Sequence, residues 1–424
     1  MNVKKKILII GINFFPEPTG IGKYSSEMAF SFADKGLDVS VITAYPYYPD
    51  WKVFNGYSNR GYSREVIRNV KVTRCPFYVP TQLTGLKRML QDFSFFMSAL
   101  VCLSGKMIKR EKFDMVFVAS PSFMSGFAGL FYRMFHRHTK FVYHIHDLQV
   151  DAAEELGMIK SGILLKILKW AEGLILKNAD WVSTISKGMQ AKIASKPVKI
   201  KRQYLFPNWV DFGNIHKKEP SLSIISALGF PMDKKLCLYS GAVGEKQGLE
   251  LILEIAEKAV ISLPGLVFVI AGSGPYAEVL KQQAVSRKIT NLYFISLQPI
   301  EIFNELLNYA FLHMVIQKEK AGDLLLPSKL TNILAVEGLA IITASPGTSL
   351  YNIVDENKVG IVVPPDNTEA FWQKLEKLYK EPGMAVELKR NAGQYAEKYL
   401  EKNTIINDFL DTVVFEKDNY AGKA

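Results

Sequence analysis

The sequence predicts two doubly wound α/β domains in tandem, and three observations carry that expectation. Short apolar runs alternate with helical stretches from one end to the other. Two glycine turns, Pro16-Glu17-Pro18-Thr19-Gly20-Ile21-Gly22-Lys23 and Ala271-Gly272-Ser273-Gly274-Pro275, each follow such a run. The 424 residues also exceed what a single core usually supports. A strand that enters a glycine turn and leaves as a helix aims free backbone N–H groups and the positive helix end at an anion. One such turn in each half points to two nucleotide-type domains facing one cleft.

In the first half, residues 7–10, 39–43, 71–74, 115–118, 141–145 and 181–185 read as short apolar strands separated by helices, the pattern of a parallel sheet covered on both faces. The first helix, from Gly22 to Lys35, stops at Gly36, the usual place for a C′ glycine. Phe206-Pro207-Asn208-Trp209-Val210-Asp211 and the polar stretch 213–220 read as the interdomain connection, so the domains are placed at 1–215 and 216–390. The second series has strands at 236–239, 266–270, 292–295, 314–316, 340–343 and 360–363, with helices near 248–260, 276–287 and 328–336. From 368 to 413 the chain is helical by periodicity, interrupted at Pro382-Gly383.

Composition excludes several classes. Hydrophobic residues at 48% and charged residues at 22% leave no disordered or collagen-like reading. Cys75, Cys102 and Cys237 lie far apart in the sequence, form no Cys-x-x-Cys site and fit a reducing compartment. The lysines at 4–6 resemble a signal n-region, but the apolar run that follows is too short for an h-region and reads as a first strand, so the protein is expected in the cytosol.

The net charge of +11 is unevenly spread. Residues 1–215 carry 30 Lys and Arg against 16 Asp and Glu, whereas the remainder carries 22 against 25. No nucleic-acid module accompanies the basic half. Two apolar segments with basic flanks do, one running from Leu86 to Arg110 and one from Ile163 to Lys177 with Trp170 inside it. They read either as helices for an anionic membrane surface or as core helices with solvated lysines, and the charge asymmetry favours the membrane for the domain.

The motifs narrow the chemistry. Gly20-Ile21-Gly22 is neither G-x-G-x-x-G nor a P-loop, since Lys23 is followed by Tyr24, which disfavours NAD binding and P-loop phosphoryl transfer. His144-Ile145-His146-Asp147 ends a strand, where open α/β sheets place ligands. The two histidines are taken to alternate faces, poor geometry for one metal ion, and His146 reads as a hydrogen bonder to a sugar or as a satisfied strand-end residue. Ser240 to Gly248 opens a helix, with Gly241 and Lys246 forming an anion site. Leu326-Pro327-Ser328-Lys329-Leu330-Thr331-Asn332 starts another helix, on which Lys329 and Asn332 share a face, and Asp323 just upstream is placed to meet a hydroxyl.

Taken together, the strings at 11–24, 144–147, 183–186, 206–209, 244–250 and 326–336 resemble the retaining family-four glycosyltransferases of GT-B fold, and within them the colanic-acid type of exopolysaccharide and O-antigen enzyme. The resemblance runs from residue 7 to about 410. It implies that the first domain takes the acceptor, the second takes a nucleotide sugar, and a last helix within 391–424 crosses back to the first domain. By the same resemblance Gly20 and Gly22 form a lip near the donor diphosphate, and His146 contacts the transferred sugar. Lys246 sits on the diphosphate, Gly272 and Gly274 let backbone approach the nucleotide, and Ser328 and Lys329 approach the phosphates.

Two positions depart from the broad family. Its Glu-x7-Glu pair falls here on Asn332 and near Asp323 or Leu324, and the arginine expected after Gly241 is Ala242. The colanic-acid type shares the asparagine. The implied reaction moves a sugar, with fucose or an N-acetylfucosamine type favoured, from a GDP- or UDP-linked donor to a polyprenyl-diphosphate-linked saccharide. It would take place at the inner face of the cytoplasmic membrane, in capsule, exopolysaccharide or lipopolysaccharide assembly. Fixed lysines, N–H groups and helix ends suit a departing diphosphate, so no metal and no cofactor is expected. The rivals are a nucleotide-sugar epimerase and a catalytically silent membrane scaffold.

Overall fold

The computed structural model describes residues 4–18, 20–81, 85–155, 161–318 and 328–416, with every side chain in them except those of Leu86, Glu155, Lys246, Ser328 and Pro382. The chain divides into two compact units, Met1–Pro207 with Ile406–Ala424, and Asn208–Ile405.

In the first unit the elements run β1 (Lys6–Ile10), α1 (Gly20–Asp34), β2 (Asp38–Ala44), β3 (Ser63–Ile67), β4 (Val70–Cys75), α2 (Gly85–Ile108), β5 (Met115–Ser120), α3 (Ser125–Phe135), β6 (Lys140–Ile145), α4 (Gln149–Glu155), α5 (Gly162–Asn178), β7 (Trp181–Thr184), α6 (Lys187–Ala194) and β8 (Gln203–Leu205). They build an eight-stranded sheet in the order β3-β4-β2-β1-β5-β6-β7-β8, parallel except for the antiparallel β3–β4 pair. The central strands are buried on both faces, which is why β1 and β5 read as unbroken apolar runs and β2 as a mostly apolar one with Ser40 and Thr43 buried inside it. Strand β3 was not expected, because its alternating polar sequence Ser63-Arg64-Glu65-Val66-Ile67 marks a half-exposed edge.

The second unit contains α7 (Leu222–Ala227), β9 (Lys235–Ser240), α8 (Glu250–Ser262), β10 (Leu266–Ala271), α9 (Ala277–Ser286), β11 (Leu292–Ile295), α10 (Ile300–Tyr309), β12 (Leu312–Val315), α11 (Ser328–Ala335), β13 (Ala340–Thr343), α12 (Ser349–Asn357), β14 (Ile361–Val363), α13 (Thr368–Lys380), α14 (Ala385–Tyr399) and α15 (Lys402–Phe409). Its six strands are all parallel, in the order β11-β10-β9-β12-β13-β14. Strand β9 shows how the period of two builds two cores: Leu236 and Leu238 enter one apolar cluster, Cys237 and Tyr239 the other. Each buried aliphatic side chain of this kind contributes about 1.5–3 kcal/mol, so both helix layers are fixed to the sheet.

The boundaries differ from those read in the sequence. The division falls at Pro207, ahead of the polar stretch, because Val210 and Ile215 are already core residues of the second unit. Val210 N donates to Leu400 O at 2.7 Å and Lys402 N to Val210 O at 3.1 Å, which keeps the chain in the second unit until Ile405. Beyond it, Phe409 stacks on Phe206 with ring centres 4.4 Å apart, and Asp408 accepts a hydrogen bond from the Tyr204 hydroxyl at 2.5 Å. The segment from Ile406 is thereby built into the first unit. Cys75 and Cys102, distant in sequence, are neighbours across β4 and α2, and their shared hydrogen bond raises the Cys75 thiol and lowers that of Cys102. Both are free thiols.

Candidate functional site

In the second unit the turns after β9 and β10 are built against each other. Gly241 N donates to Ala271 O at 3.0 Å, Val243 N to Ser273 O at 2.9 Å, and Tyr276 N to Val243 O at 3.2 Å. A methyl group on Gly272 would stand 1.9 Å from Gly241 O, and one on Gly274 would stand 2.1 Å from Val243 O. Backbone packing of one turn on the other thus requires both glycines, a reason the sequence reading, which assigned them to the nucleotide, did not contain.

Lys329, in the first turn of α11, reaches this pair of turns. A Cβ on Gly241 would lie 3.4 Å from Lys329 Cε and 3.5 Å from its Nζ. That ammonium stands 3.9 Å from the centre of the Tyr239 ring, and the Tyr239 hydroxyl donates to Ala242 O at 2.7 Å. Burial lowers the Lys329 pKa to about 7. Among the described residues no carboxylate is paired with it, so an anion arriving here would meet a cation without an anionic partner.

The same region holds buried oxygen atoms without a hydrogen-bond partner among the described residues: Asn332 Oδ1 one turn along α11, Gln247 Oε1, and Glu250 Oε2 at the start of α8. The other Glu250 oxygen accepts from the Tyr276 hydroxyl at 2.7 Å. Buried acceptors of this kind need donors, and ligand hydroxyls would supply them. Tyr239, Gln247 and Glu250 were not singled out in the sequence; Gln247 and Glu250 lie within the 244–250 string, which carried a signal, whereas Tyr239 reads only as a strand residue. Lys246 is not at a helix start as expected. It lies in a single 3-10 turn, Glu245–Gln247, closed by Gly248 at φ +72°, and α8 begins only at Glu250. Its side chain lies outside the described residues, as do the Ser328 side chain and the whole of Asp323 and Leu324; the Ser328 backbone opens α11.

In the first unit, α1 begins at Gly20, with φ +62°, two residues earlier than expected. Gly22 is buried over Glu17, and a Cβ there would stand 2.7 Å from Glu17 Oε2. The Glu17 carboxyl accepts from Tyr47 N and Tyr48 N at 3.0 Å each and from Asn13 Nδ2 at 2.9 Å. Burial outweighs these donors and raises its pKa to about 7. The Pro16 to Lys23 turn therefore carries its own internal acid beneath Gly22, a feature that the lip expected of Gly20 and Gly22 did not include.

His144 is the penultimate residue of β6, and His146 follows the strand's end at Ile145. Their rings meet edge to face with centres 4.3 Å apart, so they share a face, as strand residues two apart must, and do not alternate as expected. His144 Nδ1 is 2.9 Å from Ser183 Oγ and its ring packs on Phe117 and Phe206. His146 donates its backbone N–H to Ser120 O at 3.2 Å, and burial pushes its imidazole pKa down to about 4. Burial and the neighbouring His146 ring also push the His144 imidazole well below its ordinary range. Both are neutral at physiological pH and offer hydrogen bonds rather than charge. Among the described residues no group of three or more His, Cys, Asp and Glu is gathered for a metal ion.

Two family models cover most of the chain: a glycosyl transferase 4-like domain matches residues 19–209, and glycosyl transferases group 1 matches 222–399. A relative from Escherichia coli (strain K12), provisionally named colanic acid biosynthesis glycosyl transferase WcaI, is 37% identical over 417 residues, 96% of this chain and 99% of that protein. Among solved structures, sucrose-phosphate synthase (tll1590) from Thermosynechococcus elongatus matches with a TM-score of 0.74 at 16% identity, over 97% of this chain and 99% of its own. Anabaena Alr3699/HepE in complex with UDP and glucose matches with a TM-score of 0.70 at 12% identity, over 97% and 99%. At these identities the structural likeness is one of fold.

Proposed function

This chain belongs to the family-four glycosyltransferases of GT-B fold, and we propose that it transfers a sugar, with retention, from a nucleotide-sugar donor to a lipid-diphosphate-linked saccharide of a surface polysaccharide. The observation that supports this best is the buried Lys329 ammonium, unpaired among the described residues, beside Gly241 and Tyr239.

In this reading the donor diphosphate sits against Lys329 and Lys246 at the glycine turns, and Asn332 and Glu250 accept hydroxyls of the nucleotide or the sugar. Asp323 and Ser328 keep the hydroxyl and phosphate contacts proposed for them, Gly20 and Gly22 the lip, and His146 the contact with the transferred sugar. The bond from the anomeric carbon to phosphate breaks, the acceptor oxygen bonds to that carbon on the same face, and the acceptor's proton passes to the leaving phosphate. Negative charge grows on the diphosphate, where fixed cations and N–H groups count most. A deoxysugar such as fucose or N-acetylfucosamine, carried on GDP or UDP, is the donor proposed; the relative's colanic-acid name supports the polysaccharide setting.

A membrane-facing acceptor fits the first unit. On α2, Leu90, Phe93, Met97 and Val101 are exposed at helical spacing, and on α5 Ile163, Ile167 and Trp170 are exposed among Lys166, Lys169 and Lys177. Helix α3 packs against both. No helix of the described residues is long and apolar enough to cross a membrane, so attachment to the surface is the mode proposed.

The test begins with thermal shift against a panel of nucleoside diphosphates, in which the preferred base raises the melting midpoint most. Mass spectrometry with the matching nucleotide sugars then reads hydrolysis and transfer. No turnover of any donor would leave the silent-scaffold reading, and interconversion of the donor without transfer would leave the epimerase.

A further inference from the structure

The carboxyl edge of the first unit's sheet carries a second group of residues that the donor chemistry leaves unused. Tyr47, Tyr48 and Trp51 follow β2, Arg88 and Asp92 lie one turn apart on α2, Ser122 follows β5 and Gln149 opens α4. The structure draws these four segments together. Trp51 lies with its ring centre 5.6 Å from that of Tyr47 and 6.1 Å from that of Tyr48, and the Arg88 guanidinium carbon is 5.9 Å from the Trp51 ring. Arg88, Ser122 and Gln149 all act on the Asp92 carboxylate, and Asp92 and Arg88 act in turn on the Tyr47 hydroxyl.

Three further observations mark this edge as unfinished by protein alone. Ser122 Oγ, Ser125 Oγ and Gln91 Nε2 are buried, each residue about 1% exposed, and none has a hydrogen-bond partner among the described residues. Ser122 lowers the Asp92 pKa, yet among the described residues its hydroxyl has no hydrogen-bond partner. Trp51, in the turn after β2, holds φ at +54°, a left-handed conformation rare for a bulky residue and one that clusters at active sites, ligand clamps and switch regions.

The charges select among ligands. Glu17 and Asp92 face this edge against Arg88 in front and Arg74 behind, and Arg74 is itself bonded to Glu65. Among the described residues named here there is no surplus cation for a phosphate. A polyhydroxylated, uncharged ring fits better: a carboxylate, two hydroxyls and an amide for its hydroxyl groups, a guanidinium for its oxygens, and an indole face for its C–H surface.

We propose that Asp92, Arg88 and Trp51 seat the terminal neutral sugar of the acceptor and so determine which saccharide is extended. The proposal rests on the glycosyltransferase reading for the word acceptor, but the site itself stands on the first unit alone. Burial holds the Asp92 pKa up at about 6, so at neutral pH the group is an ionised hydrogen-bond acceptor.

The test uses the full chain with methyl β-D-glucoside, methyl β-D-galactoside and methyl N-acetyl-β-D-glucosaminide, which carry no lipid to confuse the apolar helices. Saturation-transfer NMR reads binding, and the same samples are assayed for donor hydrolysis. At least one glycoside is expected to bind the wild-type protein. Asp92→Asn should weaken that binding about tenfold or more, as loss of a charged hydrogen bond does, and Trp51→Phe should weaken it several-fold while the thermal midpoint stays near wild type. Either no glycoside binding to the wild-type protein, or equal affinity in wild type and both variants, overturns the proposal. Asp92-dependent glycoside binding without any donor turnover would keep this site and remove the transferase reading instead.

Discussion

The Lys329 ammonium rests 3.9 Å from the centre of the Tyr239 ring, and among the described residues this aromatic face is its compensation for burial. A desolvated cation–π contact contributes about 2 kcal/mol, less than full removal of an ammonium from water costs. The site is therefore held in readiness at some expense to stability. Lys329→Met should fold with an unchanged or higher thermal midpoint while sugar transfer falls by a factor of about 10² to 10³, the loss usual for one charge-stabilising donor. Calorimetry together with steady-state kinetics checks this; transfer at the wild-type rate would remove Lys329 from the mechanism.

Donor binding should depend on pH with a defined sign. Free Lys329 titrates near 7, lowered by burial, and a diphosphate favours its protonated form. Below pH 7 the ammonium is already present. Above pH 7 binding must take up a proton, so affinity weakens by up to about tenfold per pH unit. Titration calorimetry of the preferred nucleoside diphosphate at pH 6, 7 and 8 reads the effect. Lys329→Arg should flatten the profile, and a wild-type profile already flat would contradict the linkage.

The stacked turns make a stability prediction. Gly272→Ala would push a methyl group to within 1.9 Å of Gly241 O, whereas Gly383→Ala would meet nothing within 4 Å. The atom met by the first is backbone, which cannot swing aside, so the cost is at least the 1–3 kcal/mol typical of overpacking. Chemical denaturation of the second unit should show Gly272→Ala destabilised by about that amount or more and Gly383→Ala within about 0.5 kcal/mol of wild type. Equal stability of the two variants would mean that the turns can separate.

The sheets were legible because their strands are buried on both faces: β1, β2, β5, β9 and β10 appear as apolar runs that no other element explains. Edge strand β3 was not, since its register is set by pairing with β4 and not by an apolar pattern. At the site, the glycines were visible but their reason was not, because Gly241 and Gly272 meet only after β9 and β10 have paired. Likewise Glu17 looks like a solvated residue between two prolines. Only the fold brings Asn13, Tyr47 and Tyr48 around it. Contacts between segments distant in sequence leave no local periodicity, and Lys329 on Tyr239 is another of that kind.

The exposed faces of α2 and α5 lead to the last prediction. Trp170 is 69% exposed, Ile167 53% and Ile163 75%, on a helix whose Lys166, Lys169 and Lys177 are also exposed. Lys169 is paired with Glu154, and the excess of Lys and Arg in residues 1–215 supplies the remaining attraction. Electrostatics brings such a surface to anionic lipid, and apolar insertion holds it there. Vesicles of phosphatidylethanolamine with phosphatidylglycerol should therefore sediment the wild-type protein at about 0.05 M salt and much less of it at about 0.5 M, where screening shortens the reach of each charge. The Ile167→Glu, Trp170→Glu double variant loses insertion and adds repulsion, and its partition should fall at least about tenfold at either salt, since each apolar side chain withdrawn forfeits about 1.5–3 kcal/mol. Partition insensitive to both salt and the double substitution would show that α5 does not meet the bilayer.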